Sequence, residues 1–397
     1  MKLLFITDNF IPETNAPATR TYEHCKEWAK KGMEVTVITC APNFPKGKVF
    51  EGYRNKIYQK EKIDGINVIR VWTYITANEG SAKRIIDYAS FMLSSFIAGL
   101  FIKTDLIIAT SPQFFTVISG RWLSFWKRKK WVMEVRDIWP ESIKAVGAMK
   151  DSLVIHFFEY LEKKMYVSAS KIVVVTDSFK RYLIHQHKVS ESKIEVVKNG
   201  IIKSNFLPSE KNSNLLKKLN LENKFVVGYI GTHGMAHALD FILASAAKIN
   251  NKTLHFLLVG DGAKKAELLR LKEELKLQNV TMIDNVPKEQ VVEYISILDI
   301  GLVNLKKSET FKSVIPSKIF ELCAMQKPIL IGVEGEAKEI VENYNVGVSF
   351  EPENFDSFQE ALNYMSLSNR SYSFEKILID FDRKFLATKM LTFLKSR

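Results

Sequence analysis

Short apolar runs alternate with longer segments of helical periodicity along almost the whole chain. In the first half the runs are KLLFIT, EVTVIT, INVIRV, LIIAT, WVMEV, KIVVVT and IEVVKNG; in the second half they are FVVGYIG, LHFLLVGDG, VTMID, IGLVNL, PILIGV and GVSFE. Each run has the length of a strand that is buried on both faces, and most are separated by enough residues for a helix. This alternation predicts an α/β fold built on mostly parallel, doubly wound, Rossmann-like sheets.

A polar connector at 208–224 (PSEKNSNLLKKLNLENK) divides the two series of runs, and 397 residues exceed what one ordinary core holds. We therefore predict two doubly wound domains, residues 1–205 and 206–375, and a C-terminal helix over 376–397 that returns to the first domain. Two such domains would face each other across a cleft, at the carboxyl ends of their strands, where these sheets bind ligands.

Charge and cysteine usage narrow the classes of function. The formal net charge is +13, which indicates an anionic partner, but no recognisable nucleic-acid-binding module is present and nucleic acid is disfavoured. Cys25, Cys40 and Cys323 are few and far apart, which suggests a reducing compartment rather than disulfides. The apolar run in MKLLFITDNF is too short for a signal peptide, so a cytoplasmic location is expected.

Two neighbouring segments favour attachment to a membrane surface over spanning. Residues 85–102 (IIDYASFMLSSFIAGLFI) hold one charge but fall short of the ~20 apolar residues of a typical span, so a core helix is the preferred interpretation. Residues 121–131 (RWLSFWKRKKW) combine three tryptophans with five basic residues, which suits an anionic membrane interface. A solvated helix end before a strand is the alternative for this second segment.

The stretch 226–240 (VVGYIGTHGMAHALD) ends an apolar run in glycines at 228, 231 and 234 and then becomes helix-like. The spacing is not that of an NAD fingerprint, and the next acidic strand end, Asp261, is too distant. His233 and His237 are four apart, but Gly234 between them disfavours the helix that a zinc site would need. A phosphate-binding turn, with backbone N–H groups at a helix start, is the remaining interpretation.

The segment 316–328 (PSKIFELCAMQKP) would supply the other side of that ligand. Pro316 suits a helix start, and Lys318 in the first turn opposes the helix dipole unless it contacts a bound anion. Glu321 lies three residues on, on the same face, where a carboxylate can accept two hydrogen bonds from a ribose diol. An ordinary surface Lys–Glu pair explains the spacing equally well.

In the first half, VMEVRDIWPESI (132–143) ends an internal strand in Glu134, Arg136, Asp137 and Glu141. Charged residues at such a strand end pack poorly and suit an active site. A structural Arg–Asp pair is the alternative.

The loop after the first strand is rich in small residues, including Asn15, Ala16 and Pro17, and precedes an amphipathic helix that begins near Ala18. Small side chains would let a ligand approach the strand end. Arg20, in the first turns of the helix, is then placed to reach a phosphate or a sugar.

Taken together, these motifs resemble the retaining, GT-B-fold members of glycosyltransferase family 4. Within that family the likeness is to enzymes that build bacterial O-antigen and capsule repeat units, typified by L-fucosamine (FucNAc) transferases. It is carried, between residues 8 and 354, by APATR, RDIWPES, KNGI, GYIGTHGMAHALD, VGDG, IPSKIFELCAMQKPIL and GEAKEIVENYNVGVSFEPEN.

The resemblance implies retaining transfer from a UDP-sugar to a polyprenyl-diphosphate-linked saccharide, at the inner face of the bacterial cytoplasmic membrane, without a metal or other cofactor. The donor-binding residues that it implies are Gly231, Thr232, His233, Gly234, Met235, His237, Val286, Pro316, Ser317, Lys318 and Glu321. The implied catalytic residues are Arg136, Asp137 and Lys318, and the implied acceptor-binding residues are Asn15, Ala16, Pro17, Arg20 and Glu141.

Three departures from the family pattern qualify these roles. Ser313 replaces the first of two glutamates eight residues apart, and His233 and His237 lie where the family has an arginine and a lysine. The two histidines could therefore substitute as donors to the diphosphate. Asp137 replaces a histidine, so it would either position the substrate or accept a proton. A UDP-sugar 2-epimerase, which shares the fold, is the alternative function.

Overall fold

The computed structural model describes residues 1–44, 46–76, 81–111, 113–138, 153–367 and 371–396. The strands are β1 (Lys2–Ile6), β2 (Glu34–Cys40), β3 (Tyr58–Ile63), β4 (Ile66–Val71), β5 (Leu106–Thr110), β6 (Lys130–Val135), β7 (Lys171–Val174), β8 (Ile194–Val196), β9 (Phe225–Ile230), β10 (Leu254–Val259), β11 (Val280–Ile283), β12 (Ile300–Asn304), β13 (Ile329–Gly332) and β14 (Gly347–Ser349). The α-helices are α1 (Ala16–Lys30), α2 (Ser81–Leu100), α3 (Phe114–Lys127), α4 (Leu153–Ser168), α5 (Asp177–His187), α6 (Ser213–Lys218), α7 (Leu239–Lys248), α8 (Lys265–Glu274), α9 (Val291–Ser296), α10 (Lys318–Ala324), α11 (Glu336–Asn343), α12 (Phe355–Leu367), α13 (Glu375–Asp380) and α14 (Arg383–Lys395).

The first unit comprises residues 1–199 and 383–397 and is built on a sheet of order β3-β4-β2-β1-β5-β6-β7-β8. Its neighbouring strands are parallel except for the β3–β4 pair at one edge. Strand β3 (YQKEKI) was not predicted, because its positions alternate between exposed and half-buried and it lacks the apolar run of a central strand.

Each face of this first sheet is covered by its own set of helices. Helices α1 and α14 pack together on one face, with Trp28 and Met390 fully buried in the shared core. Helices α2, α3, α4 and α5 contribute to the core on the other face, where Phe91, Val117 and Tyr166 are buried. Within the described residues, none of the helices combines the length and the apolar character that crossing a bilayer requires.

The second unit comprises residues 200–382, and its sheet has the order β11-β10-β9-β12-β13-β14 with parallel neighbours throughout. Neighbouring residues of one strand serve opposite cores: Val226 of β9 packs with α9, α10 and α11, and Val227 with α7, α8 and α12. Parallel strands place their carboxyl ends at one edge of each sheet, which is where the candidate site residues lie.

The predicted α/β fold class with two doubly wound domains is confirmed, but the predicted chain boundaries differ from the observed ones. The chain leaves the first unit after Asn199 and returns at Arg383. Ile201 and Phe381 lie outside the predicted range 206–375 but belong to the second unit. The Ile201 N–H donates to the Phe381 carbonyl at 2.9 Å. The predicted single helix near the C-terminus is two helices, α13 and α14, that are interrupted at Phe381 and Asp382.

Candidate active site

A pocket of about 370 Å³ opens at the carboxyl ends of β9 and β12 in the second unit. It is lined by the end of β9, the end of β12 and the start of α10. The lining residues are Ile230, Gly231, Thr232, His237, Val303, Asn304, Leu305, Val314, Pro316, Ser317, Lys318 and Glu321. The glycine turn and the PSKIFE segment, far apart in sequence, therefore line one pocket.

Lys318 is the first residue of α10, and its ammonium group lies against the face of a buried tyrosine. The distance from Lys318 Nζ to the centroid of the Tyr229 ring is 3.6 Å. Burial lowers the pKa of Lys318 to about 7, and the nearby Glu321 carboxylate only partly opposes this shift. A bound anion would restore the charged form, so the protonation of Lys318 reports on what occupies the pocket.

The glycine turn keeps its shape by packing backbone against backbone. The Gly231 N–H donates to the Val259 carbonyl and the His233 N–H to the Asp261 carbonyl, both at 2.9 Å. A Cβ on Gly260 would lie 1.9 Å from the Gly231 carbonyl oxygen, so the turns after β9 and β10 touch where only glycine fits. Gly231 and Gly260 also have φ values of 148° and 146°, a region that favours glycine.

Both histidines of the turn have pKa values below the usual range, which favours their neutral form near pH 7. Burial and the positive charge of neighbouring lysines lower the pKa of His233 and of His237 to about 4. Among the described residues, neither ring nitrogen of His233 and not Nδ1 of His237 has a hydrogen-bond partner. Neutral rings would not supply the charge of the cations in the family that the sequence resembles, and a role of His233 and His237 as hydrogen-bond donors to a diphosphate stays a prediction.

Four predicted donor-binding residues do not line this pocket. His233 is fully buried behind the turn, and Val286 packs against the hydrophobic core beside β11. Gly234 and Met235 line a separate, much smaller cavity next to Asp240. Of the predicted turn residues, Gly231, Thr232 and His237 therefore remain at the pocket surface.

Two polar residues of the second unit were missed by sequence reasoning. Asn304, at the end of β12, donates from Nδ2 to the carbonyls of His237 and Ala238 at 3.0 and 3.1 Å, which fixes the start of α7. Lys265 is buried and donates from Nζ to the carbonyls of Gly260 and Ile283 at 3.0 and 2.8 Å, so it joins the ends of β10 and β11. A polar residue at the end of the apolar run IGLVN was the available signal for the first.

In the first unit, Arg20 was predicted to contact the acceptor, but its side chain is buried and bonded to the protein. Arg20 is 2% exposed, and its Nε donates to Glu134 Oε1 at 3.0 Å. Nη1 donates to the Lys198 carbonyl at 2.8 Å and to Asn199 Oδ1 at 3.2 Å, and Nη2 donates to the Val197 carbonyl at 2.8 Å. A guanidinium engaged on all three nitrogens inside the protein is a structural group, not a ligand contact.

The strand end after β6 is held by Ser111, whose Oγ accepts from the backbone N–H groups of Arg136 and Asp137 at 2.8 and 3.3 Å. Burial lowers the pKa of Arg136 to about 10, although the Glu134 carboxylate opposes this shift. Within the described residues, Arg136 Nη1 has no hydrogen-bond partner. Glu141 lies outside the described residues.

The predicted acceptor loop runs directly into α1, which begins at Ala16 rather than near Ala18. Asn15 caps the helix by accepting from the Ala18 N–H at 2.9 Å, and it donates to Asn9 Oδ1 at 2.6 Å. Ala16 and Pro17 thus form the first turn of the helix.

Three carboxyl groups beside this loop were not predicted. Burial raises the pKa of Asp8, which follows β1, and burial together with the Asp8 charge raises the pKa of Glu13 and of Asp87 to about 7. Glu13 Oε1 accepts from the N–H groups of Asn43 and Phe44 at 2.8 and 2.9 Å. In the part of the chain that the structure describes, no group of three or more His, Cys, Asp or Glu side chains is arranged to hold a metal ion.

Two family models match the chain, one in each half. The model described as Glycosyltransferase Family 4 matches residues 17–204, and the model described as Glycosyl transferases group 1 matches residues 211–377. Their boundary falls near the observed division of the chain at residue 199.

Similar proteins point the same way. WcaI of Escherichia coli (strain K12), named for colanic acid biosynthesis, is 24% identical over 368 residues, which are 90% of each chain. TuaH of Bacillus subtilis (strain 168), named for teichuronic acid biosynthesis, is 24% identical over 199 residues, 50% of this chain and 49% of that one. The Anabaena HepE structure with UDP and glucose has a TM-score of 0.71 at 17% identity, with 100% of both chains covered, and supports the predicted GT-B fold.

The packing of the two turns predicts different costs for one substitution at two glycines. Gly260→Ala and Gly231→Ala impose similar backbone strain, of about 1–3 kcal/mol, because their φ values are alike. Only Gly260→Ala also drives a Cβ into a backbone carbonyl, whereas the Cβ at Gly231 meets the flexible end of Lys318 at 2.9 Å. We expect Gly260→Ala to lower the stability of the second unit more, measured as faster hydrogen exchange of β9 and β10 amides. Equal losses would contradict the backbone contact.

Proposed function

We propose that the chain, a glycosyltransferase with two Rossmann-like domains, moves a sugar from a UDP-sugar to a polyprenyl-diphosphate-linked saccharide with retention of configuration. The observation that carries the donor half of the proposal is the pocket that joins the glycine turn to Lys318 and Glu321. The proposed sugar is an N-acetylated deoxyamino sugar such as L-FucNAc, for O-antigen or capsule synthesis. The relatives named for colanic acid and teichuronic acid biosynthesis support a role in bacterial polysaccharide synthesis, and the choice of sugar rests on the sequence resemblance alone.

The pocket offers one group for each part of a nucleotide sugar. The diphosphate would lie between the Gly231–Thr232 turn and Lys318, where backbone N–H groups and an ammonium favour an anion. The ribose would meet Glu321, one turn along α10. The base would lie near 283–287, at the strand end that Lys265 joins to β10.

The proposed reaction uses no nucleophile from the protein. As the bond from the anomeric carbon to the diphosphate breaks, the departing diphosphate oxygen takes the proton of the acceptor hydroxyl, which attacks from the same face. Lys318 and the turn amides stabilise the developing negative charge, a role that needs no metal ion in this proposal.

The acceptor would bind at the strand ends of the first unit. Asn15, Ala16 and Pro17 would border it, and Arg136 with Asp137 would contact it. We add Asp8 and Asp87 as candidate partners of sugar hydroxyls, because carboxyl groups accept hydrogen bonds from diols. The raised pKa values of Asp8 and Asp87 agree with a buried site that excludes water.

A surface of the first unit supports membrane attachment. Helices α2, α3 and α4 bury one side in the same core, and their outer side exposes many large apolar residues among its cations. The large exposed apolar residues on these helices are Ile85, Ile86, Leu93, Ile97, Leu100, Trp122, Phe125, Trp126, Phe157, Tyr160 and Val167. The same helices and their ends carry Lys83, Arg84, Arg121, Lys127, Arg128, Lys129, Lys130, Lys163 and Lys164.

This combination of exposed aromatics and cations suits the headgroup region of an anionic bilayer. Asp87 also lies on α2, and the negative charge of Asp8 contributes to raising the pKa of Asp87. Helix α2 therefore lies near the proposed acceptor site. The apolar surface and the acceptor site therefore share one helix, as a lipid-linked acceptor would require.

Acceptor-dependent transfer tests the function. With UDP-L-FucNAc among a panel of UDP-sugars and a short-chain polyprenyl-diphosphate saccharide, we expect a glycosylated lipid by mass spectrometry. Lys318→Ala should lower kcat by about 10²–10³-fold, as removal of a charge-stabilising donor does. Lys312→Ala, a surface lysine paired with Glu309, is the matched control and should leave kcat unchanged. Interconversion of a UDP-HexNAc without acceptor would instead favour the epimerase alternative.

Donor affinity should fall as the pH rises above about 7. Below that pH Lys318 is protonated before the donor arrives, and above it the lysine must first take up a proton, because its pKa in the free protein is about 7. A UDP-sugar has no phosphate proton to lose in this range, so the effect belongs to the protein. Calorimetry between about pH 6 and about pH 9 should show a Kd that rises up to about tenfold per pH unit. A pH-independent Kd would contradict the assignment of Lys318.

Membrane attachment should depend on α3. We expect the protein to float with vesicles rich in anionic phospholipid, less so at high salt, and not with zwitterionic vesicles. The Phe125→Ser, Trp126→Ser double variant should lose flotation, because these side chains are 77% and 68% exposed in the apolar surface. Trp72→Ser removes a tryptophan that is 42% exposed outside the surface and should float like the wild type.

A further inference from the structure

Helix α1 holds both connections between the two units of the chain. Arg20 binds the last residues before the first connection, through the carbonyls of Val197 and Lys198 and the side chain of Asn199. Glu23, one turn along, forms an ion pair with Arg383, the first residue after the second connection. Residues three apart share a helix face, so one face of α1 contacts both connections.

The side chains around these contacts are buried and hydrogen-bonded. Trp28, one more turn along α1, is fully buried and donates from Nε1 to the Ala387 carbonyl at 2.8 Å. His24 is buried. Burial, together with the positive charges of Arg20 and Arg383, holds the pKa of His24 well below its usual range. Its ring is therefore neutral and adds no third charge to the two ion pairs.

Helix α1 also contacts the proposed acceptor loop and the strand end of β6. Its N-terminus is the capped loop with Asn15, and Arg20 pairs with Glu134, two residues before Arg136 on the strand end of β6. One helix is thus bonded to the proposed acceptor loop, to the proposed catalytic strand end and to both connections. Nothing in the chemistry of transfer needs Arg20 or Glu23 to touch a substrate.

We propose that Arg20 and Glu23 are positioning residues, which fix residues 197–199 and Arg383 to α1 and thereby hold the acceptor loop and the strand end of β6 in place for transfer. The inference rests on the proposed transfer reaction. It explains why a guanidinium is buried at this place: only its planar fork can bind Glu134 and two successive carbonyls together, and the point charge of a lysine cannot.

The test compares Arg20→Lys with the double variant Glu23→Gln, Arg383→Gln, in the full chain. We expect kcat for transfer to fall by about 10- to 100-fold, as it does when reacting groups are misplaced by about 1 Å. The Kd for a UDP-sugar, measured by calorimetry, should change less than twofold, because the pocket residues all lie between 230 and 321. Glu27→Gln, which removes a surface pair with Lys30 on the same helix, is the control and should keep wild-type kcat.

Hydrogen exchange gives a readout that does not depend on activity. In both variants the amides at 197–201 and 381–384 should exchange at least about tenfold faster than in the wild type, while those of β9 and β10 do not change.

Unchanged exchange at the connections, or wild-type kcat in the variants, would overturn the inference. So would a loss of donor binding in proportion to kcat, which would indicate general unfolding. If the wild type makes no product while exchange responds as expected, the proposed function fails and the anchoring by α1 stands. Should Arg20→Lys not fold, the double variant, which keeps amides in place of the charges, decides the matter alone.

Discussion

The buried ion pair between Arg20 and Glu134 is the interaction on which the first unit depends. Taking both charges out of water is costly, and the attraction between them offsets this only when their remaining hydrogen-bonding groups are also satisfied. Arg20 meets this condition with bonds to Glu134, Val197, Lys198 and Asn199. Glu134 meets it only through Oε1, because among the described residues its buried Oε2 has no hydrogen-bond partner. Because the partners of Arg20 come from β6 and from the segment after β8, the pair can form only when α1, that strand and that segment are all in place.

Lys318 is a buried cation of the opposite kind. Arg20 keeps its charge through carboxylate and carbonyl partners from the protein, whereas Lys318 lies over an aromatic ring and has its pKa lowered to about 7. The protein thus compensates the charge of Arg20 internally, whereas the charge of Lys318 would be compensated by the ligand of the proposed donor site. Perturbed groups of the second kind concentrate at functional sites, and this difference separates a structural basic residue from a binding one.

The sequence predicted what depends on local pattern. The apolar runs marked the strands because buried parallel strands are apolar on both faces, and the edge strand β3 escaped because it is half solvated. The pocket walls at Gly231 and Lys318 were found from a glycine turn and a charge against a helix dipole. Arg20 was predicted to contact the acceptor and is instead bonded within the protein. Its four partners lie more than a hundred residues away in sequence, and no local pattern indicates them. Asn304, Lys265 and the carboxyl groups of Asp8, Glu13 and Asp87 were also missed, although the polar residue at the end of the apolar run IGLVN was an available signal for Asn304.

The neutral histidines change how the proposed donor site must work. Where the glycosyltransferases that the sequence resembles have two cations in the glycine turn, this chain has His233 and His237, whose pKa values are lowered to about 4. Near neutral pH the turn therefore contributes dipoles and no charge, and the cationic charge at the pocket comes from Lys318. Dipoles stabilise an anion only when they point at it, so binding would depend more on the exact backbone path of the turn. That path is the one held by Gly260 against Gly231, by Lys265 across two strand ends and by Asn304 at the start of α7. Lys265 and Asn304, two of the residues that sequence reasoning missed, would thus help a turn without cations to bind a diphosphate.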